Sequence, residues 1–514
     1  MKKKNAKAHC ITRSTQQQGM PFVGHLRRNS TDIVVYSLSV VCWYIFLHYC
    51  YPVANMIPDT KGYIYWADKD TYGGFHPMGY PHFLRFIHSF SQDISVVFIA
   101  QLLIFSFASL LFYLSVTYLF SICNKYLRAV FLSTCIFFLS GFYATNVISS
   151  DSLFLSGSIL MVTACIWFIK RPHVLLFLFI IISTMLCISI RHIGIIYPFI
   201  VVVVLFYGSK NRPMAIAATL FLVIIIAGYI NIVSKRTEAD VGVNIFSAFG
   251  GWQKANNALH IVPHMDLSKP LVHTDDAEIQ IVDSFVRETY PRYKKYYPAD
   301  NEVSYLFIWS DSLPLKPFMV DRIRLSKSYM SYMWNYLGKV YSDYADLIIK
   351  EHPKEYLRYY LFNNLKMLFR PDEEMFKGYF PAPDKDKNVW EWFALDKTTE
   401  AEIRKEPGLS LLKPVLRELP VMYLLLWFGF SAALIMFFTM LIQKKMNLGS
   451  KVAGMCLVFV TYIAIYCLAS LFAAPISVRF LMMVRVLILA FMVICVNGFI
   501  KKIPESKGSA LIDQ

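Results

Sequence analysis

The chain has 514 residues, of which 56% are hydrophobic, 16% aromatic and only 17% charged, and its mean hydropathy is +0.45. A soluble chain of this length carries roughly a quarter charged residues, whereas about ten apolar runs here approach or exceed the length that crosses a bilayer. A water-soluble enzyme is thereby excluded, and the net charge of +16 belongs first to cytoplasmic loops, where Lys and Arg set orientation, rather than to nucleic-acid binding.

Residues 1–32 form a basic tail with Lys2, Lys3, Lys4, Lys7, Arg13, Arg27 and Arg28, expected to be cytoplasmic. The apolar run from Ile33 to Ala54 lacks a small-residue cleavage site and reads as an uncleaved span. The external loop 55–92 follows, opening NMIPDTKGYIYWADKDTYGGFHPMGYPH, with Asp59 close enough to the apolar run to lie at the membrane surface. Tyr63, Tyr65, Trp66, Tyr72 and Phe75 suit the headgroup layer, and His76-Pro77-Met78-Gly79-Tyr80-Pro81 reads as a turn into the next helix. Taken alone, this loop is equally a short connection with an aromatic belt.

A second run, Ile94 to Phe120, leads to the basic turn holding Lys125 and Arg128; a third, Ala129 to Thr145, comes out to Asn146–Asp151; and a fourth, Leu153 to Ile169, returns to Lys170 and Arg171. Leu176 to Ile190 and Ile193 to Tyr207 are each short for a span, and Pro198 interrupts the second. Read as two spans they leave Lys210 and Arg212 inside; read as one, everything downstream inverts. Two spans are expected, so that a seventh run, Ala215 to Val233, completes a seven-helix module over 33–234 and delivers the chain outside.

Residues 235–419 have the composition of a soluble insert, with amphipathic patterns from Asp321 to Glu351 and from Pro353 to Arg370. The second places Tyr356, Tyr360, Leu361, Leu365 and Phe369 near one face, which suits either a membrane-surface helix or a core-facing one. The insert contains no cysteine, although the chain has 10, and no Asn-x-Ser/Thr site. Both absences favour a bacterial inner membrane with this domain outside. Three runs over 420–500 follow, Val421 to Ile442, Val452 to Ala473 and Phe480 to Val496, and Lys444, Lys445, Lys501 and Lys502 place the tail 501–514 inside. The expected fold class is an all-α polytopic membrane protein of about ten transmembrane helices, with a mainly helical external domain after the seventh.

Under this topology Asp59, Asp68, Asp70, His76, Asp151, Arg191, His192 and Arg479 share the external face, while Arg485 lies deeper on the last helix. A carboxylate there can take the proton of an acceptor hydroxyl, while arginines and a divalent cation stabilise a phosphate leaving group. The bland alternatives are a helix-capping role for Asp59 and Asp151, a polar hairpin turn for Arg191 and His192, and an interfacial anchor for Arg479. Arg485 is harder to treat that way, because a deep guanidinium is costly unless it snorkels, pairs or binds an anion. Trp252, Gln253, Asn256 and Asn257 suit either a sugar contact or a wet amphipathic helix.

Pro58-Asp59-Thr60 with Tyr63, His76 to Pro81, Ser150-Asp151-Ser152 and Arg479-Phe480 together resemble the GT-C membrane glycosyltransferases, in particular the dolichyl-phosphate-mannose-protein mannosyltransferase and aminoarabinose transferase group. The resemblance covers mainly Ile33 to Val233. It implies the GT-C fold, with Asp59 and Asp151 as catalytic acids and His76, Arg191, Arg479 and Arg485 around a donor phosphate. Tyr63 and Tyr80 would line the substrate. A divalent metal cation is the cofactor this resemblance admits, with Asp59, Asp151 or His76 as its ligands, although Gly73-Gly74-Phe75 departs from the aminoarabinose transferases where an acidic residue stands. The implied activity is inverting transfer of a sugar from a polyprenyl-phosphate donor to a lipid, glycan or protein acceptor, with membrane lipids as further partners. A transporter or flippase of a lipid-linked or anionic substrate is the alternative, although paired broken helices and midplane polar groups are not evident.

Overall fold

The computed structural model describes residues 21–209, 211–297, 302–376, 387–396 and 418–502, and among them every regular element is helical. The first part of the chain forms α1 (Ser30–Cys50), α2 (Asp59–Lys69), α3 (Gly79–His88), α4 (Ile94–Leu119), α5 (Lys125–Ile136), α6 (Leu139–Thr145), α7 (Ser150–Lys170), α8 (Val174–Ile190), α9 (Tyr197–Gly208) and α10 (Arg212–Val241). The insert contributes α11 (Ala248–Ala258), α12 (Ala277–Tyr293), α13 (Leu315–Ser326), α14 (Met330–Glu351) and α15 (Lys387–Trp392). Then come α16 (Leu419–Ile442), α17 (Lys451–Ala473) and α18 (Val478–Lys502). The expected basic tail lies largely, and the carboxyl tail wholly beyond Lys502, outside the described residues.

Eight of the described helices are long and apolar enough to cross a membrane: α1, α4, α5 continued by α6, α7, α10, α16, α17 and α18. This is the architecture of an integral membrane protein, in which backbone groups satisfy one another inside each helix. Short polar residues set the helix starts, with Asp93 accepting the Ser95 N–H at 2.8 Å, Asn124 that of Tyr126 at 2.9 Å and Ser450 that of Ala453 at 3.2 Å. The bundle is built around α7, which packs on α4, α8, α9, α17 and α18. In α7, 83% of the apolar window is buried, against 17% in α1 and in α10, so α7 is central and the other two are peripheral. The shorter pair α8 and α9 folds back on itself through the turn His192–Ile196.

The insert has a core of its own, in which Trp252 on α11 stacks on Trp334 of α14 at 4.0 Å with Tyr341 and Tyr344 buried nearby. The expected continuous pattern from Asp321 to Glu351 breaks at Lys327, whose φ is +53°. The stretch after Pro353 contains a π turn at Leu357–Leu361; its Tyr356 and Tyr360 are buried in the insert, while Leu365 and Phe369 stay exposed. The core-facing reading of that segment thus holds for its first half, through Tyr356 and Tyr360.

One end of the bundle carries the described part of the insert. Asn257 donates to the Phe472 carbonyl at 3.0 Å, Asn364 to those of Leu471 and Ala474 at 2.9 and 2.8 Å, and Tyr305 to that of Pro475 at 3.0 Å, so the insert grips the turn between α17 and α18. It also grips the first loop: Asn335 donates to the Gly73 carbonyl at 2.8 Å, and the Ala248 N–H to the Gly74 carbonyl at 3.1 Å. Gly74 has φ +68°, and a Cβ there would lie 1.8 Å from Asn335 Oδ1, so only glycine fits this seam.

Candidate active site

Asp151 stands in the first turn of α7 and is only 3% exposed. A carboxylate this deep must be paired, and it is paired twice. Oδ1 accepts from Arg191, the residue that ends α8, and Oδ2 accepts from Arg479 Nε of α18 at 2.9 Å and from Ser149 Oγ at 3.1 Å. The other arm of Arg479, Nη2, reaches Asp59 Oδ2 at the start of α2, 3.4 Å away. The Asp59 side chain is 27% exposed, so this carboxylate faces outward where Asp151 does not. Arg191 is further held over the rings of Phe154 and Phe480, 5.8 and 5.2 Å from their centroids.

His76 lies against this cluster. Its ring is 4.4 Å from that of Tyr63, and its Nε2 is buried without a hydrogen-bond partner. Burial pushes its pKa down to about 4, the Arg479 and Arg191 charges lower it as well, and Asp59 opposes them. His76 is therefore a neutral imidazole at pH 7, so that it would meet a donor phosphate without a charge; dehydration at the seam outweighs its acidic neighbour. Tyr63 and Tyr80, expected to line the substrate, are 4% and 0% exposed and stand behind His76 instead. The Tyr63 hydroxyl pairs with Ser150 Oγ at 3.0 Å, its ring meets that of Tyr80 at 4.9 Å, and the Tyr80 hydroxyl donates to Gln101 Oε1 at 3.0 Å. Burial holds the phenol of Tyr63 well above its ordinary pKa, and Asp59 adds to that.

Comparison with protein-family models, curated proteins and solved structures returned no match. The site thus rests on its own geometry.

That geometry brings Asp59, Asp151, Arg191 and Arg479 together from four distant parts of the chain, with His76, Tyr63 and Tyr80 in the layer behind. Arg485 is not brought in. It sits deeper on α18 with its guanidinium 5.1 Å from the centre of the Phe138 ring, and among the described residues no carboxylate pairs with it. Nor do the candidate metal ligands fit a divalent cation. Both carboxylates already face Arg479, and among the described residues no three His, Cys, Asp or Glu side chains converge as ligands do. Asp68 pairs with Lys69 at 3.0 Å and Asp70 with Arg85 at 2.6 Å, all on the surface.

Trp252, Gln253, Asn256 and Asn257 prove to be structural. All four are buried, with Trp252 donating to the Trp334 carbonyl at 2.9 Å and Asn256 to that of Ser304 at 2.9 Å. Gln101 is the residue that the sequence reading missed. Fully buried on α4, it donates to the carbonyls of Thr145 and Val147 at 2.8 and 3.0 Å and so fixes the strand-like approach to α7 against the Tyr80 layer. A lone amide inside an otherwise apolar run was its one visible signal.

Proposed function

We propose that the protein is an integral-membrane inverting glycosyltransferase that moves a sugar from a polyprenyl-phosphate donor to a lipid, glycan or protein acceptor on the external face of a bacterial inner membrane. The observation that supports this most is the unequal sharing of Arg479 between a buried Asp151 and an outward Asp59. In this reading Asp59 is the catalytic base. The acceptor oxygen attacks the anomeric carbon opposite the phosphate, its proton passes to Asp59, and the carbon–oxygen bond to phosphate breaks with its electron pair leaving on the polyprenyl phosphate. Arg479, clamped through Nε by Asp151, presents Nη2 to the charge that develops there. Asp151 and Arg191 are positioning residues, and neutral His76 offers a hydrogen bond rather than a charge. No step is routed through a metal, because the donor set does not fit one.

Contact and parity support this orientation. The first loop touches the insert at Gly73 and Gly74, so both lie on one side and an even number of crossings separates them. Counting α8 and α9 as separate crossings, α4, α5 with α6, α7, α8, α9 and α10 make six; fused into one, they would make an odd number. The opposite end carries Arg128, Lys170, Arg171, Lys444 and Lys445, which suits the cytoplasm. Purified protein incubated with a panel of polyprenyl-phosphate sugars should release polyprenyl phosphate from one of them. Release from none, with lipid-linked sugar instead carried across a vesicle membrane, would replace this reading by the flippase.

A further inference from the structure

We propose that the cavity between α2 and the insert binds an anionic saccharide, and that this is the acceptor; the word acceptor rests on the sugar-transfer reading, the binding does not. The cavity has a volume of about 830 Å³, within the range of ligand sites. Its walls are aromatic: Trp66, Phe75, Trp309 and Trp334 line it, with the last two rings nearly parallel at 16° and Phe75 4.8 Å from Trp334. Flat π faces of this kind receive the C–H face of a pyranose ring.

The charge inside is of one sign. Lys61, Lys316 and Lys387 line the cavity, and among the described residues no Asp or Glu does. The partners of two of them, Asp311 and Glu391, are 85% and 62% exposed, so those pairs are weak surface pairs that an anionic ligand can replace. Trp334 adds an independent sign. It is 8% exposed, and its Nε1 is buried without a hydrogen-bond partner, a donor that an oxygen-rich ligand would satisfy after a small adjustment of the wall.

The cavity lies beside the candidate active site, although Asp59 itself is not among its lining residues. Gly62 on its wall is one helical turn from Asp59, and a Cβ there would come within 3.0 Å of His76 Nε2. In the sugar-transfer reading, a hydroxyl of a sugar held on the tryptophans loses its proton to Asp59 as its oxygen bonds to the anomeric carbon and polyprenyl phosphate departs.

The test uses full-length protein in neutral-lipid nanodiscs and follows tryptophan fluorescence on titration with trigalacturonate or its methyl ester. The acid should bind about tenfold more tightly than the ester at low salt, with the gap closing as salt rises. Lys61→Met, Lys316→Met and Lys387→Met together should abolish that preference, the matching Lys→Arg triple should keep it, and Trp309→Ala should weaken both ligands. Equal binding of acid and ester, a preference that survives in the Lys→Met triple, or an equal response to phosphatidylglycerol alone overturns the proposal. Binding with the predicted preference but no transfer from any donor leaves the saccharide site standing and removes only its role as acceptor site.

Discussion

Asp59 and Asp151 share one guanidinium but differ in exposure, and in the proposed reading that difference divides their roles. Replacing Arg479 leaves Asp151 buried with Arg191 as its remaining cationic partner, a loss below the roughly 3–5 kcal/mol of a buried charge left wholly unpaired. Arg479→Ala should accordingly lower thermal stability as well as donor affinity, and Arg479→Lys should retain more stability than donor affinity. Arg485→Met should change donor affinity little; a matching loss in a donor-binding titration would return Arg485 to the phosphate site. His76 supplies a pH test. Its folded pKa of about 4 is below the ordinary value of 6.5, so the neutral form is favoured by folding. That contribution is full above pH 6.5 and is lost as pH falls through about 4, and it is at most about 3 kcal/mol. Thermal melting between pH 7 and pH 4.5 should fall less steeply in His76→Asn than in the parent chain. Equal slopes would mean that His76 is not held neutral by burial.

At the scale of elements, the seam between the first loop and the insert positions α2 over α7. Gly73-Gly74, which in the sequence marked only a departure from the resembling family, is what lets α14 approach the loop: Asn335 bonds to the Gly73 carbonyl and occupies the space beside Gly74. Gly74→Ala adds both a methyl clash and a left-handed backbone cost, together about 1–3 kcal/mol. Its expected outcome is faster proteolysis of the insert with the bundle helices still protected, whereas an unchanged cleavage rate would show that the seam does not hold the insert. Spans such as α4 and α7 were legible because hydropathy is local. The breaks at Lys327 and at the π turn were not, since neither Gly nor Pro announces them and tertiary contacts decide where those helices end. Gln101 and Trp334 were illegible as site residues for the same reason: what matters about each is a partner, or the lack of one, far away in sequence.

For the whole molecule, the convergence of residues 59, 151, 191 and 479 was legible only through a family resemblance and a charge-based topology, because no periodicity links positions so far apart. Parity makes that topology testable. In a background with Cys10, Cys42 and Cys123 replaced by Ser, cysteines at Lys61 and at the exposed Lys269 should label from one side of a sealed vesicle and a cysteine at Asn447 from the other. Labelling of Lys61 and Lys269 from opposite sides would contradict both the α8–α9 hairpin and the shared face. The central claim, however, is that Asp59 takes a proton. An acceptor hydroxyl is a poor nucleophile at neutral pH, and a positioned carboxylate contributes roughly 10²- to 10⁴-fold by accepting its proton. The most direct measurement is therefore the turnover of Asp59→Asn, with donor affinity and melting temperature determined on the same preparation. The account predicts turnover reduced by roughly 10²- to 10⁴-fold with donor binding and fold retained; near-normal turnover would contradict it.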